Sequence, residues 1–550
     1  MVTRRKIRVN KDQSPSVKTL RASLGLGRPV AVLAALLALG ACDAVDKRAV
    51  GTVGYVKGFA GMVAADEPRA MVVGRDVLSA GGTAADAATA MYFTLAVTYP
   101  SAASLGGGGS CIVHDPVRKK TEVMEFPAIG SVSGGAVATA VPANPRGFFA
   151  LHAKYGKLRF ESLLVEPERL ARTGVPVTRA LANDLARAVP ILGRDMAARA
   201  IFFRPDGSVL REGDVITQPH LASIIANLRR NTGDFYVGIG ARELIKSVQS
   251  VGGTLTLEDL RDIRPTWRDA LTLKLGNETA YFAPPPSVGS TVAAQLVGAL
   301  WPRWSDTAPV ERSHLLAELS ARVFADRARW MRPSGWSNEE GSALISEAHL
   351  KALLADYNPE RHVPAPGISG PPSDYPLATG FVAMDGQGSA VACGVTTYGL
   401  FGVGRVAPGT GIVLAGTPGP NGPPAITTMV TVNHNANEVH FVGAASGGGT
   451  APAALALTFL GAAADDKPLG EAISAPRLVH PGAPDAVFVE GAPHALDPTS
   501  LQQRGHQISP VTMPSRVEAL YCPGGYKNSE SCEAATDPRG FGMATAVGLR

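Results

Sequence analysis

A threonine stands where a buried strand follows a proline-rich loop. Thr379 comes shortly after segment 358–376, which is rich in proline and poor in apolar residues, and residues 381–384 are predicted to begin a β-hairpin. A threonine hydroxyl needs a base to become a nucleophile, and the free α-amine of the same residue can serve as that base. Such chemistry requires the chain to be cut in an exposed loop that leads into a buried strand. The order of segments around Thr379 fits that requirement.

Signals for other catalytic classes are weak. The sequence has no H-E-x-x-H motif, no close pair of histidines and no Cys/His metal spacing, so His114, His434 and His480 are interpreted as structural or surface residues and no metal is predicted. The G-x-S-x-G motif is absent, and Ser446 is assigned to a turn.

Two glycine clusters are interpreted as turns on the residues alone. Gly106–Gly109 precede a predicted strand, and nothing completes a phosphate-binding motif, so a close backbone approach is expected there. Gly447 and Gly448 by themselves indicate a turn from a strand into a helix.

Charge and composition exclude several classes of protein. The 550 residues are 45% hydrophobic and 18% charged, as in a folded enzyme-sized chain, which excludes disorder and collagen. The net charge of +5 arises in residues 1–28, which hold eight Lys or Arg and one acid, leaving 44 basic and 46 acidic residues in the remainder. The body therefore lacks the basic bias of a nucleic-acid-binding protein.

The amino-terminal segment is typical of an exported protein. An uncharged run from Pro29 to Ala41 follows the basic head and, at 13 residues, is too short to span a bilayer. It is predicted to be the apolar part of a signal peptide. The run ends in Leu-Gly-Ala-Cys, which resembles a bacterial lipobox, so Cys42 is expected to carry a lipid. An ordinary signal peptide is the alternative.

The remaining chain is predicted to change from helices to strands. Helices are expected from Pro68 to about Ser79, after the capping residue Thr83, through much of 145–300, and over 311–332 and 341–356. Strand pairs are expected at 381–397 and 426–442, with a helix from about 451. Cys522 and Cys532 flank a turn and are either bridged or free thiols.

A set of short motifs in a fixed order resembles the gamma-glutamyltransferases (glutathione hydrolases), over nearly all of residues 58–550. The motifs are Gly61-Met62-Val63-Ala64, Gly81 to Ala87, Gly106 to Gly109, Val141-Pro142, Arg146-Gly147, Gly213-Asp214, Phe235-Tyr236, Glu258-Asp259-Leu260, Pro285-Pro286-Ser287, Ala475-Pro476-Arg477, Gly505-His506 and Asp537-Pro538-Arg539. The resemblance implies an α/β fold, the αββα sandwich of N-terminal nucleophile hydrolases, with a helix-rich large part and a strand-rich small part. Fold alone does not establish function.

The resemblance also implies a reaction. Family precursors cut themselves, and the freed amino-terminal threonine attacks a gamma-glutamyl amide, forming an acyl-enzyme that water or an amino acid resolves. Thr396 matches the threonine beside the nucleophile, and Gly447 and Gly448 match the glycine pair whose N–H groups form the oxyanion hole. Thr427 and Thr428 match the residues that hold the substrate carboxylate. No cofactor is implied.

The cleavage motif departs from the family pattern. Ungapped, the nucleophile position is Ala378, which has no hydroxyl, and Thr379 takes the second threonine position. Thr379 becomes the nucleophile if the strand starts one residue later, a shift that is easiest at a free strand end. Gly380 is expected to let the backbone twist into a strained geometry. A catalytically silent protein is the alternative.

The positions that bind glutamate also differ. The family arginine that clamps the α-carboxylate of glutamate is replaced by Pro127, and the acidic run that holds the α-ammonium is replaced by residues 415–420. Tyr398 replaces the family asparagine beside the nucleophile and is assigned to substrate binding. These changes predict an acyl group that is larger or less polar than glutamate. Arg146 is the candidate for a substitute clamp.

The resulting prediction divides the chain into four regions. Residues 1–41 are a signal peptide, 42–57 a lipid-attached tether, 58–378 a large-subunit-like region and 379–550 a small-subunit-like catalytic region. The predicted function is a gamma-glutamyltransferase-like acyl hydrolase or transferase, with a silent envelope lipoprotein as the alternative. The expected partners are a small amide or peptide substrate, the two fragments of the same chain, and a membrane through the lipid, on the periplasmic side of the cell envelope.

Overall fold

The computed structural model describes residues 58–131, 136–332, 337, 340–365, 378–417, 426–491, 498–512 and 514–548. Its helices are α1 (Pro68–Ser79), α2 (Ala84–Thr98), α3 (Asn144–Tyr155), α4 (Phe160–Leu163), α5 (Val165–Thr173), α6 (Arg179–Leu192), α7 (Met196–Phe202), α8 (Pro219–Arg230), α9 (Asp234–Val237), α10 (Ile239–Ser250), α11 (Leu257–Asp262), α12 (Val288–Trp304), α13 (Pro309–Trp330), α14 (Gly341–Leu344), α15 (Glu347–Ala352), α16 (Ala451–Ala463), α17 (Leu469–Ser474) and α18 (Thr499–Gln503).

The strands are β1 (Gly61–Ala65), β2 (Gly108–Asp115), β3 (Lys120–Phe126), β4 (Val175–Pro176), β5 (Val215–Ile216), β6 (Thr266–Asp269), β7 (Leu271–Leu275), β8 (Glu278–Phe282), β9 (Ala378–Asp385), β10 (Ala390–Thr396), β11 (Val406–Ala407), β12 (Ile412–Val413), β13 (Thr427–Asn433), β14 (Glu438–Ser446), β15 (Leu478–Val479), β16 (Val487–Glu490), β17 (Ile508–Val511), β18 (Arg516–Tyr521), β19 (Glu533–Thr536) and β20 (Met543–Val547).

Two antiparallel sheets pack face to face between two helical layers. Sheet one runs β20-β1-β9-β10-β2-β3-β6, and sheet two runs β19-β18-β14-β13-β8-β7. One apolar cluster joins residues of both sheets, among them Val382 and Leu520. A second cluster packs sheet one against α1, α2 and the following helices, and a third packs sheet two against α12, α13 and α16. This is the expected αββα sandwich.

Strand β9 lies inside sheet one and is buried on both faces. Val382 and Met384 belong to the cluster between the sheets, whereas Phe381 and Ala383 belong to the cluster on the helical side. This alternation follows from the two-residue period of a strand. All eight residues of β9 are buried.

Most sequence-based elements are confirmed, with one clear error. Helix α1 has the predicted bounds, and Thr83 and Asp86 form a reciprocal capping box at the start of α2. The interpretation of 145–300 as mainly helical missed β6, β7 and β8. Strand β7 contains alternating leucines whose side chains are buried while the intervening residues are exposed, a pattern typical of a strand. Consequently both sheets combine strands from before and after residue 378.

Two disulfides are present in the described chain. Cys522 and Cys532 are bonded, which decides between the two alternatives, and Cys111 and Cys393 form a second bridge that was not predicted. The second bridge connects neighbouring strands β2 and β10 across a sequence separation of 282 residues. The signal-peptide and Cys42 predictions, and residues 366–376 of the predicted loop, lie outside the described residues.

Among the described residues, no helix combines the length and apolar character needed to cross a membrane.

Candidate active site

The start of β9 places Thr396 across from the predicted cleavage point. Ala378 pairs with Thr396, and Thr379 pairs with Val395 on β10. The strand therefore begins at Ala378, and the later start expected for Thr379 is wrong. Side chains alternate along a strand, so Thr396 shares its face of the sheet with Ala378. The peptide bond between Ala378 and Thr379 consequently lies beside Thr396.

The Thr379 hydroxyl has a carboxylate partner. Its Oγ1 donates a hydrogen bond of 2.9 Å to Oδ2 of Asp66, the residue that follows β1. Both side chains are buried, and Ser446 at the end of β14 donates to the same Oδ2 at 3.4 Å. Asp66 thus links Thr379 in sheet one to Ser446 in sheet two. Sequence analysis missed Asp66 because its distance along the chain gives no signal.

The glycine pair follows directly after Ser446. Gly447 has φ of 109° and Gly448 has φ of 68°, conformations that side chains rarely adopt. A Cβ on Gly447 would lie 2.5 Å from the carbonyl oxygen of Pro514. The two glycines therefore turn the chain from β14 towards α16. They directly follow Ser446, which shares the Asp66 carboxylate with Thr379, and they are the residues for which the resemblance implies an oxyanion hole.

A buried ion-pair network supports the backbone behind Gly447. Arg477 donates to the carbonyl oxygen of Ser515 at 2.8 Å and lies 2.5 Å from the carboxylate of Asp537. That carboxylate also accepts from the N–H of Val517 at 3.1 Å. Arg477 and Asp537 belong to two of the sequence motifs named above. Their position explains those motifs, because they fix the segment against which Gly447 packs.

The four glycines at the start of β2, of which Gly108 and Gly109 belong to the strand, bring its backbone close to β10. A Cβ on Gly107 would lie 2.3 Å from the carbonyl oxygen of Thr396, and one on Gly109 would lie 2.2 Å from that of Gly394. The predicted close backbone approach is confirmed, and its partner is the strand that carries Thr396. Thr396 in turn accepts from the N–H of Tyr398 at 2.9 Å.

Tyr398 adopts an unusual backbone conformation next to the site. Its φ is 59°, which costs a bulky residue about 1–3 kcal/mol. The side chain packs with Ala128, Ala140 and Ala415 in a small apolar cluster, and burial raises the pKa of its hydroxyl. Ala128 and Ala415 border the positions where the resemblance implied charged groups for glutamate.

The predicted substitute clamp, Arg146, is engaged elsewhere. Its Nη1 donates to the carbonyl oxygens of Arg261 and Ile263, and its guanidinium lies 3.8 Å from the ring centre of Tyr236. This arginine supports the loop after α11, so the prediction that it contacts substrate gains no support.

The two threonines assigned to carboxylate binding lie at the start of β13. Thr427 pairs with Ala445 and Thr428 with Ala444 on β14, so both are near the end of the strand that carries Ser446. The N–H of Thr428 donates to Ser290 Oγ at 2.8 Å. Both threonines are buried.

A histidine cluster lies among α13 and the segments that pack on it. Nδ1 of His314 is 2.8 Å from Nε2 of His506, and Glu318 could complete a set of metal ligands. Two nitrogens bound to one tetrahedral zinc would lie about 3.3 Å apart. Glu318 already pairs with Arg322 at 2.8 Å and His362 at 2.5 Å. These contacts describe a hydrogen-bonded structural cluster, which the sequence spacing did not reveal.

The packing of Gly447 generates a testable prediction. Gly447→Ala should lower the free energy of unfolding by about 2 kcal/mol or more, because the new methyl group meets Pro514 and the backbone remains in a strained conformation. Urea unfolding measures the effect. Gly449→Ala is the matched control, since its Cβ would find its nearest neighbour, Phe324, only at 3.8 Å. Equal stability of the two variants would contradict the assigned packing.

Comparisons with known proteins identify the family. The family model described as Gamma-glutamyltranspeptidase matches residues 70–417 and 424–547. The glutathione hydrolase proenzyme of Pseudomonas aeruginosa is 31% identical over 377 residues, covering 64% of this chain and 67% of that protein. The proenzyme of the same name from Escherichia coli is 26% identical over 544 residues, covering 89% and 92%.

Solved structures agree on the fold. The cephalosporin acylase from Bacillus halodurans superimposes with a TM-score of 0.76 at 23% identity, covering 89% of this chain and 96% of that one. At this identity the likeness concerns the fold alone. Together with the match to the family model, these findings show that the chain belongs to the gamma-glutamyltranspeptidase family of enzymes and has the N-terminal nucleophile hydrolase fold.

Proposed function

We propose that the protein is an acyl hydrolase or transferase that cleaves amide bonds with Thr379 as an autoproteolytically exposed nucleophile. The observation that carries the proposal is the hydrogen bond from Thr379 to Asp66, which Ser446 shares immediately before Gly447 and Gly448. It brings together, from distant parts of the sequence, a hydroxyl, a carboxylate and a pair of backbone amides. Because β9 does not start one residue later, the proposal rests on this hydrogen bond and on the lack of a hydroxyl at Ala378, and not on the position of the strand start.

The proposed reaction uses each part of the site. After cleavage, the α-amine of Thr379 takes the hydroxyl proton as Oγ1 attacks the substrate carbonyl carbon. The amide C–N bond then breaks, and the leaving nitrogen takes that proton from the α-ammonium and departs as the free amine. The N–H groups of Gly447 and Gly448 receive the negative charge that develops on the carbonyl oxygen, and such a donor contributes about 3–4 kcal/mol. Thr396 orients the amine. Water or an amine then attacks the acyl-enzyme and releases Thr379.

The two fragments produced by cleavage remain joined by the sheets in this proposal. Strands β1, β2, β3 and β6 precede the cut and share sheet one with β9, β10 and β20, which follow it. Sheet two mixes strands from both sides of residue 378 in the same way. Hydrogen bonds between these strands hold the large and small fragments together, and the disulfide between Cys111 on β2 and Cys393 on β10 links them covalently.

The proposed substrate has an acyl group less polar than a free glutamyl group. Pro127 and residues 415–420 replace the charged clamps that the resemblance implies, Tyr398 packs with the neighbouring Ala128 and Ala415, and Arg146 is occupied by backbone carbonyls. Each lost charge-assisted contact costs about 1.5–3 kcal/mol. An apolar acyl group makes no charge-assisted contacts, so it loses no binding free energy at such a surface.

We also propose that the mature protein is anchored at the periplasmic side of the cell envelope by a lipid on Cys42. The support is the sequence alone, namely the apolar run that ends in Leu-Gly-Ala-Cys.

The first prediction concerns cleavage. Thr379→Ala should leave a single intact chain, because no hydroxyl remains to attack the preceding carbonyl, whereas Thr379→Ser should still be cut. Denaturing gels and intact mass, both after reduction of the Cys111–Cys393 disulfide, report the result. Thr89→Ala, a matched change of a buried threonine in α2, should be cut normally. Cleavage of Thr379→Ala would show that the nucleophile lies elsewhere.

The second prediction concerns the acyl donor. The γ-glutamyl anilide should show a kcat/KM at least about 100-fold lower than an apolar straight-chain acyl anilide with the same leaving group, because two charged contacts are missing. The shared anilide isolates the acyl side. Turnover of glutathione at about 1–1000 per second with a micromolar KM would contradict the assigned specificity.

The third prediction concerns anchoring. Cys42→Ser should release the mature protein from the membrane fraction, because the lipid would have no sulfur to attach to. Fractionation with and without detergent measures this. If the variant needs detergent as much as the wild type does, the lipid anchor is wrong.

A further inference from the structure

Autoproteolysis poses a problem that the mature enzyme does not have. Before cleavage, the nitrogen of Thr379 is part of a peptide bond and cannot take a proton. The hydroxyl therefore needs a different base in the precursor. This question rests on the proposed cleavage before Thr379.

Asp66 is placed to be that base. Its Oδ2 accepts the hydrogen bond from Thr379 at 2.9 Å, a distance suited to direct proton transfer. Asp66 is 1% exposed and Thr379 is not exposed, so water does not compete for the hydroxyl. The position is fixed by β1, whose last residue, Ala65, pairs with Phe381 on β9.

A buried charge network surrounds this carboxylate. Nε of Arg516 lies 3.4 Å from Oδ1 of Asp66, and Nη1 of the same arginine donates to the Tyr99 hydroxyl at 3.1 Å. Asp184 on α6 contributes a second nearby carboxyl, whose pKa is raised by burial and lowered in part by Arg516. Arg516 thus supplies the positive charge that compensates a carboxylate at Asp66.

Glu518 on β18 is a second buried carboxyl beside Asp66. Burial, and then the neighbouring Asp66 carboxyl, raise the pKa of Glu518 well above its ordinary value. Two adjacent buried carboxyls do not both ionise, and the raised pKa favours the protonated form of Glu518. Oδ1 of Asp66 and Oε2 of Glu518 are both buried and have no hydrogen-bond partner among the described residues.

Gly380 makes room for this pair. A Cβ at residue 380 would lie 2.8 Å from Oε2 of Glu518 and 3.0 Å from Cβ of Ala444. Gly380 pairs with Gly394 in the regular ladder of β9 and β10. The expected strained backbone at this residue is therefore wrong, and its lack of a side chain serves the carboxyl pair instead.

We propose that Asp66 is the catalytic base of autoproteolysis and that Glu518 is its positioning residue. Asp66 takes the proton from Thr379 Oγ1 as that oxygen bonds to the carbonyl carbon of Ala378. The bond between that carbon and the nitrogen of Thr379 then breaks, and the nitrogen receives the proton from Asp66. The resulting ester between Ala378 and Thr379 is hydrolysed by water, which leaves a carboxyl group on Ala378 and a free amine on Thr379.

The test follows the conversion of the freshly synthesised single chain into two chains over time, by intact mass after reduction of the Cys111–Cys393 disulfide. Asp66→Asn, which keeps the shape but removes the basic oxygen, should slow cleavage at least about 100-fold. Asp195→Asn is the matched control. It changes a buried carboxyl that caps α7 and lies outside the network of Asp66, Arg516 and Glu518, and it should be cut at close to the wild-type rate. Thermal unfolding checks that each variant is folded.

Glu518→Gln separates positioning from base catalysis. It keeps a hydrogen-bond donor for Asp66 and should be cut within about tenfold of the wild-type rate, whereas Glu518→Leu removes the donor and should be slower than Glu518→Gln. A purely structural role of the pair would instead change thermal stability and leave the cleavage rate of folded protein unchanged.

The outcomes are distinct. A folded Asp66→Asn variant that is cut within threefold of the wild-type rate would overturn the role of Asp66 while leaving the proposed function intact. Wild-type protein that remains a single chain would overturn the proposed function itself. If Asp66→Asn fails to fold, Asp66→Glu decides, because it keeps the charge beside Arg516 but displaces the oxygen. Cleavage at least about tenfold slower than in the wild type supports the role, and the wild-type rate overturns it.

Discussion

The hydrogen bond between Thr379 and Asp66 is the contact on which the proposed chemistry depends. It joins the start of β9 to the residue that follows β1, inside sheet one, and the same carboxylate reaches Ser446 in sheet two. A buried carboxylate is costly unless a positive charge and hydrogen bonds compensate it, and Arg516 with Glu518 provide both. The sandwich therefore does more than position a nucleophile. It also holds the Asp66 carboxylate between its two sheets, beside the peptide bond before Thr379 that is proposed to be cut.

The remaining features of the site follow from closely packed backbone. Gly107 and Gly109 allow β2 to approach the strand that carries Thr396, and Gly447 allows β14 to turn against Pro514. Behind that turn, the buried pair of Arg477 and Asp537 holds the segment in place. Rigid support of this kind matters because an oxyanion hole works only when its N–H groups are already oriented towards the developing charge.

The sequence predicted the architecture well and the site incompletely. The capping box of Thr83, the bounds of α1 and the αββα sandwich could be predicted because they depend on local periodicity or on motifs in a fixed order. Strands β6 to β8 were missed although the alternation in β7 indicates one of them. Asp66, Glu518 and Arg516 could not be found, because their roles arise only when β1 and β18 meet β9 in space. The register of β9 likewise depends on pairing with β10, which placed Ala378 opposite Thr396.

The central claim is that this chain cuts itself before Thr379, and the intact mass of the purified wild-type protein under denaturing, reducing conditions tests it most directly. The account predicts two chains, the smaller being residues 379–550, a fragment of 172 residues whose first residue is threonine. A single uncut chain after long incubation, or a small fragment that begins at another residue, would contradict it.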